Sequence, residues 1–417
     1  MDLLYIHHMR ICLSFIICFL SLSLSAQTLD EQLRVLNSEK DKFESLLSEV
    51  NSKIEGLKAQ KIIKDLKAFG LPSENYIEHS AMILEYAEAH EQAKWVAHII
   101  LPDVATGKYT RTNDFRADPK VSSKTAEEFD YFLKMPKANG DTDYDGFGYD
   151  RGHLAPSADF NWSAQAISES YFYSNMSPQV EELNQISWAK LEYELRNYVK
   201  KHETPLYVIT APVLSDKLAK SPRATNHLTV PQQYVKAVYD AKNNRAIGFI
   251  MPNSKDVKLP EYYAVTIDEV EAALGFDIFP KLDEQVESNI DKQPWLGSLQ
   301  NGSVEPIYQP SMPPGHFNTV VGGQKVAKKV KVCGQVVGSN RSKKGNVHLN
   351  LDKRFPDHIF TIFISKKDLF NFDQNITEIY MNKLVCVEGT IEKYKENPPS
   401  VSVVDESAIT IYRPAAN

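Results

Sequence analysis

Leu29, Leu33, Leu36, Phe43, Leu47, Val50, Ile54 and Leu57 recur at alternating steps of four and three, and only Lys40 breaks the series. A 3.5-residue repeat dictates a helix and gathers these side chains on one seam with charged flanks. Such a seam can pack on its own domain or meet a second copy of itself. The sharper expectation is a homo-oligomer formed through residues 29–58. Gly70 and Pro72 in "FGLPSE" end the helical region, so 27–70 reads as one coiled-coil helix.

Upstream of the heptads, Met9-Arg10 precedes the run "ICLSFIICFLSLSL" and small residues ending at Ser25-Ala26. That pattern reads as a signal peptide over 1–26, because the apolar run is short for a span and lacks a basic stop. A retained signal anchor is the alternative. Cleavage would leave an exported chain, periplasmic or secreted, with no stable membrane insertion. Cys12 and Cys18 would leave with the signal, and Cys333 and Cys386 would remain. These two could pair, or each could be a small buried hydrophobe within the strand patterns "KVKVCGQVV" and "KLVCVEGTI". No Cys/His cluster has the spacing of a structural zinc site.

The remaining length fits two further domains, 417 residues being long for one. Net charge is −7, so attraction to a polyanion would have to come from a local patch. From Trp95 to Trp295 the pattern is mixed. "KWVAHIIL" and "PLYVITAPVL" are β-branched, apolar strand runs. "QYVKAVYDAKNNRAIGFIMPN" reads as two strands turning at Asn243-Asn244. "TIDEVEAALGF" is a helix capped by Thr266 and stopped by Gly275. In "ELNQISWAKLEYELRNYVKK", Trp188, Leu191, Leu195 and Tyr198 make one apolar helical stripe. A Pro/Gly-rich linker follows near 308–323. Beyond it, "KVKVCGQVV", "NVHLNLD", "HIFTIFIS", "KLVCVEGTIEKY" and "PSVSVVD" read as five short strands of a small barrel, with a helix at "KKDLFNF".

The segment "YDRGHLAPSADF" carries the chemistry. It sets Asp150, Arg151 and His153 side by side on a strand end that Pro156 follows. Phosphodiester hydrolysis needs a base for water, positive charge on the developing pentavalent phosphate and, usually, a divalent cation. His153 suits the base and Arg151 the fixed charge. Asp150 has no metal-binding companion and suits structural support through a salt bridge or hydrogen bond. Downstream, Asn184, Trp188 and Glu192 are spaced i, i+4, i+8, along one side of a helix. An amide oxygen at Asn184 with a carboxylate two turns on suits a hydrated magnesium ion, with Asn184 on the metal and Glu192 on its waters.

Together "YDRGHLAPSADF…SNMSPQVEELNQISWAKLE" resembles the DNA/RNA non-specific endonuclease family, the group of endonuclease G and the secreted bacterial nucleases. The likeness covers roughly residues 90 to 295. It implies an α+β fold: a ββα-metal nuclease domain with a central antiparallel sheet over 71–305, here between the N-terminal coiled-coil helix and, after a linker at 306–323, an OB-like β-barrel over 324–417. It implies that His153 is the general base, Asn184 the magnesium ligand (manganese being possible), Arg151 the phosphate-stabilising arginine and Glu192 the water-orienting glutamate. Asn175 matches an asparagine that shapes the site. In "YTRTNDFRADP", Asn113 stands where many bacterial members carry a phosphate-contacting arginine, so Arg111 or Arg116 would bind substrate instead. The implied products from DNA and RNA carry 5′-phosphate ends.

Between 325 and 368 the C-terminal segment has eleven lysines and arginines against three aspartates, with His348, Phe355, Phe360 and Phe363 interleaved. Its strand pattern is similar to the OB-fold, which binds single strands by basic grooves and stacked bases. A solvated basic face over core phenylalanines is the plainer reading. The competing functional hypothesis is a catalytically silent nucleic-acid-binding scaffold built on the coiled coil and the basic barrel. The presence of His153, Asn184 and Glu192 together argues against it.

Overall fold

A computed structural model describes residues 28–132, 149–222, 227–290, 303–308 and 311–413 apart from 374 and 396, with short pieces at 134–136, 138, 142–144 and 295. The expected signal peptide lies outside the described residues. The chain divides into two units, Met1–Gln60 and Lys61–Asn417.

Helix α1 (Leu29–Phe69) contains the heptads, with Asp30 and Glu31 in its first turn and Lys67 in its last, the arrangement the helix dipole favours. In the first unit its seam is uncovered: Leu29, Phe43, Leu47 and Leu57 are 78%, 60%, 61% and 65% exposed. In the second unit its last turns bury Ile62 and Leu66. Gly70, at φ +110°, then ends the helix as expected, since that conformation suits glycine.

The second unit is built on a seven-stranded sheet. Its strands are β1 (Ile77–Glu78), β2 (Met82–Ala87), β3 (Gln92–Ile100), β8 (Leu206–Pro212), β9 (Gln233–Asp240), β10 (Arg245–Pro252) and β11 (Ala264–Val265). They follow in that spatial order, and every pairing is antiparallel. Between β3 and β8 the chain forms the pair β4 (Lys134–Pro136) and β5 (Thr142–Tyr144) and the pair β6 (Asp150–His153) and β7 (Met176–Gln179). The central strands are covered on both faces. Tyr239 of β9 takes the Phe69 ring at 4.9 Å. Tyr234 and Lys236 are an even number of positions apart and so share the opposite face, where the Trp188 ring lies. The turn at Asn243-Asn244 and the helix Ile267–Leu274, capped by Thr266 and stopped by Gly275 at φ +76°, form as expected.

The third layer of the site is helix α2 (Ala189–His202), entered through a π-helical turn, Leu183–Trp188. Its stripe is as expected: Trp188, Leu191, Leu195 and Tyr198 are all buried.

The five C-terminal strands also form: β13 (Lys329–Arg341), β14 (Val347–Leu351), β15 (Phe360–Ile364), β16 (Leu384–Glu392) and β17 (Ser400–Val403), flanked by β12 (Phe317–Asn318) and β18 (Ile409–Ile411). Strand β13 pairs with β14, β14 with β15, β15 with β17, β17 with β16, and β16 with β13. The helix at "KKDLFNF" forms as a 3₁₀ helix, Lys366–Asn371. Cys333 and Cys386 face each other across β13 and β16 and are joined in a disulfide. Lys353, nearly buried, bonds Glu261 at 2.7 Å and ties this sheet to the turn that leads into β11.

Candidate active site

The ribbon of β6 and β7 sets Asp150 opposite Gln179, Arg151 opposite Pro178, Gly152 opposite Ser177 and His153 opposite Met176. Gly152 is required there, because the Gln179 side chain stands 2.2 Å from where a Cβ would be. The ribbon is fastened to the central sheet from below. The Ser177 hydroxyl bonds Gln92 and Tyr234, and the Tyr234 hydroxyl donates to the Pro178 carbonyl at 2.7 Å.

His153 stands edge-on to Tyr171, with ring centroids 4.9 Å apart, and 5.8 Å from Phe115. Its Nε2 is enclosed and has no hydrogen-bond partner. Burial first, then the positive charges of Arg111 and Arg151, push its pKa down to about 3. The imidazole is therefore neutral at physiological pH, the form a base requires. Arg151 lies flat on Phe115, its guanidinium carbon 3.5 Å from the ring centroid, and bonds Glu128 at 3.0 Å. One ring thus steadies both the arginine and the histidine.

The two upstream arginines separate. Arg116 donates to the Asp114 carboxylate at 2.7 Å and to the Ser168 carbonyl and hydroxyl at 3.0 Å, and its guanidinium sits over Phe172. It clamps its own loop. Arg111 is exposed and its charge reaches His153. The loop between them is anchored by Asp118, which is buried and bonded to His79 and Ser174.

Asn175 packs against the backbone that follows His153. It is fully buried, accepts from the Ala155 N–H and donates to the Ala155 and Ser170 carbonyls. It is a positioning residue that fixes the backbone just after His153. Asp150 fills its expected supporting role by accepting hydrogen bonds from the amides of Asn184 and Gln185, both at 2.8 Å. With Nδ2 of Asn184 committed to Asp150, Oδ1 is the atom left to ligate a cation. Among the described residues, no cluster of three His, Cys, Asp or Glu ligands forms at this site. A single amide oxygen fits a hard cation that keeps its own waters.

The spacing of Asn184, Trp188 and Glu192 runs from the π turn into α2. The π turn changes the rotation between them. Asn184 reaches the ribbon, Trp188 is buried against Tyr234, and Glu192 is coupled to Lys236 and Arg196. Burial raises the pKa of Glu192 and lowers that of Lys236, and their mutual attraction opposes both shifts. Lys236 was not foreseen from sequence. Its ammonium bonds Thr210 Oγ1 at 2.6 Å and the Leu154 carbonyl, next to His153, at 3.3 Å. Arg196 bonds Asp159 at 2.9 Å, and Asp159 bonds buried His98. Glu128 and Phe115 were also missed. The only sequence signal for Lys236 is a lysine at an inward-facing place in an apolar strand.

The family model described as "DNA/RNA non-specific endonuclease" matches residues 64–285. Nuclease C1 of Cunninghamella echinulata var. echinulata is 30% identical over 233 residues, 52% of this chain and 87% of that protein. Mitochondrial endonuclease G of Bos taurus is 28% identical, covering 52% of this chain and 74% of that protein. A nuclease of Serratia marcescens is 29% identical over 48% of this chain and 74% of that protein. Both the site and the family match fall within the same half of the sequence, and the chain belongs to the DNA/RNA non-specific endonuclease family as a nuclease enzyme.

Proposed function

We propose that this protein is an exported, magnesium-dependent endonuclease that hydrolyses DNA and RNA with little sequence preference. The observation that carries this reading is the ribbon that holds a neutral His153 beside Arg151, with Asn184 bonded to Asp150 of the same strand. On this reading, the imidazole of His153 takes the proton of the attacking water. Arg151 bears the charge that develops on the phosphate, and Arg111 draws the strand in. Asn184 Oδ1, oriented by Asp150, holds the cation, with manganese as an alternative to magnesium. That cation supplies positive charge for the leaving 3′-oxygen. Glu192 orients water and Lys236 keeps it in place. Contacts of this kind address phosphate, which carries no base identity, and the products would end in 5′-phosphate.

Two further features belong to this proposal. The uncovered seam of α1 supports a homo-oligomer formed through residues 29–58, and the cyclic pairing of β13 to β17 supports a small OB-like barrel. Incubating the mature chain with plasmid and with RNA, with and without EDTA, tests the central claim. Cleavage of both that stops in EDTA is expected. Metal-independent cleavage, or a folded chain that cuts neither, would sink it.

A further inference from the structure

The C-terminal sheet carries a groove that the nuclease reaction does not use. Its volume is about 760 Å³, and it runs over β13, β14 and β15 between the loop at Arg354–His358 and the loop at Tyr394–Ser400. Its rim holds two aromatic rings that serve no core: Phe355 is 72% exposed and Tyr394 68%. On its floor the rings of His348 and Phe363 meet edge-on at 5.2 Å. Asn340, Asn350 and Thr361 add hydrogen-bonding groups. Among the described residues lining it there is no carboxylate, whereas Arg354, His348 and His358 are cationic or can become so.

The basic count over 325–368 overstates the free charge nearby. Lys329 and Lys331 share Glu388, and Lys353 is spent on Glu261. The groove is distinctive instead for open rings and for the lack of a carboxylate among its described lining residues. Sequence-tolerant stacking of bases with backbone attraction requires this combination. Duplex bases are stacked on one another and cannot reach such rings, whereas an unpaired strand can splay its bases onto them.

We propose that this groove binds single-stranded nucleic acid, its bases stacked on Phe355, Tyr394 and the His348–Phe363 pair and its phosphates near Arg354. The choice of ligand rests on the nuclease reading of the same chain, but binding is measurable without cleavage. The test is fluorescence anisotropy of a labelled oligothymidylate with the full chain in EDTA. Phe355→Ala and Tyr394→Ala should each weaken Kd about tenfold, about 1.4 kcal/mol. Both rings are largely exposed, so the variants should fold. A Kd within twofold of wild type in the double variant overturns the proposal. In a second arm, iododeoxyuridine in the same strand should photocrosslink to peptides holding Phe355, Phe363 or Tyr394. Crosslinks found only in residues 71–305 overturn it, as does groove binding of a neutral oligosaccharide without binding of the strand. Groove binding without plasmid cleavage would remove the nuclease reading and leave this one standing.

Discussion

At the residue scale, His153 and its neighbours set the pH behaviour. Its pKa lies near 3 because it is buried beside Arg111 and Arg151. A base with a lowered pKa stays competent until pH falls through that lowered value. His153 should therefore give kcat/KM no limb at the ordinary imidazole value of ~6.5, and an acid limb near pH 7 would belong to Glu192, whose carboxyl burial pushes up to about 7. Arg111→Ala removes one of the depressing charges and should move the His153 limb upward, which a pH–rate profile would read. His153→Ala should lower kcat between about 10²- and 10⁴-fold while binding in EDTA persists. Phe115→Ala should cost about tenfold in kcat, more than Phe115→Leu, because the ring supports both Arg151 and His153. The site was legible in part. Asp150, Arg151 and His153 announce themselves by adjacency, and Asn184 by its place after them. Glu128, Phe115 and Lys236 reach the site through the fold, from positions whose spacing carries no signal. The hydrogen bonds of Asn175 and Arg116 were not legible, since only the folded chain shows where they go.

At the scale of elements, the entry to α2 shows what periodicity can and cannot give. The stripe of Trp188, Leu191, Leu195 and Tyr198 follows from a 3.6-residue repeat, and all four are buried. The π turn before it leaves no mark in residue type, so the rotation between Asn184 and Glu192 could not be read from spacing alone. Likewise the long strands of the central sheet were readable, while the two-residue edge strands β1 and β11 were too short to form a pattern. The contact between β9 and α2 yields a stability prediction. Lys236→Met leaves Glu192 with Arg196 as its remaining cation and should destabilise the fold by about 2 kcal/mol. Glu192→Gln in the same chain should restore much of that loss, a non-additivity visible in denaturant midpoints. Simple additivity of the two changes would mean that the groups do not act as a pair.

At the scale of the whole molecule, the uncovered seam of α1 predicts a mass in solution above that of one chain, measurable by light scattering. Deleting residues 28–60, or changing Leu47 and Val50 to Glu, should return a monomer; an unchanged mass would refute association through this helix. The disulfide joins residues 53 positions apart, and opening a loop of that length should cost about 4 kcal/mol through the unfolded chain. Cys333→Ala with Cys386→Ala should therefore lower the denaturation midpoint of the C-terminal sheet. If the chain is exported as proposed, the same bond also becomes a travel record. Thiols stay reduced in the cytosol and oxidise once outside it, so alkylating native protein taken straight from its cells would reveal which side of the membrane each molecule has reached.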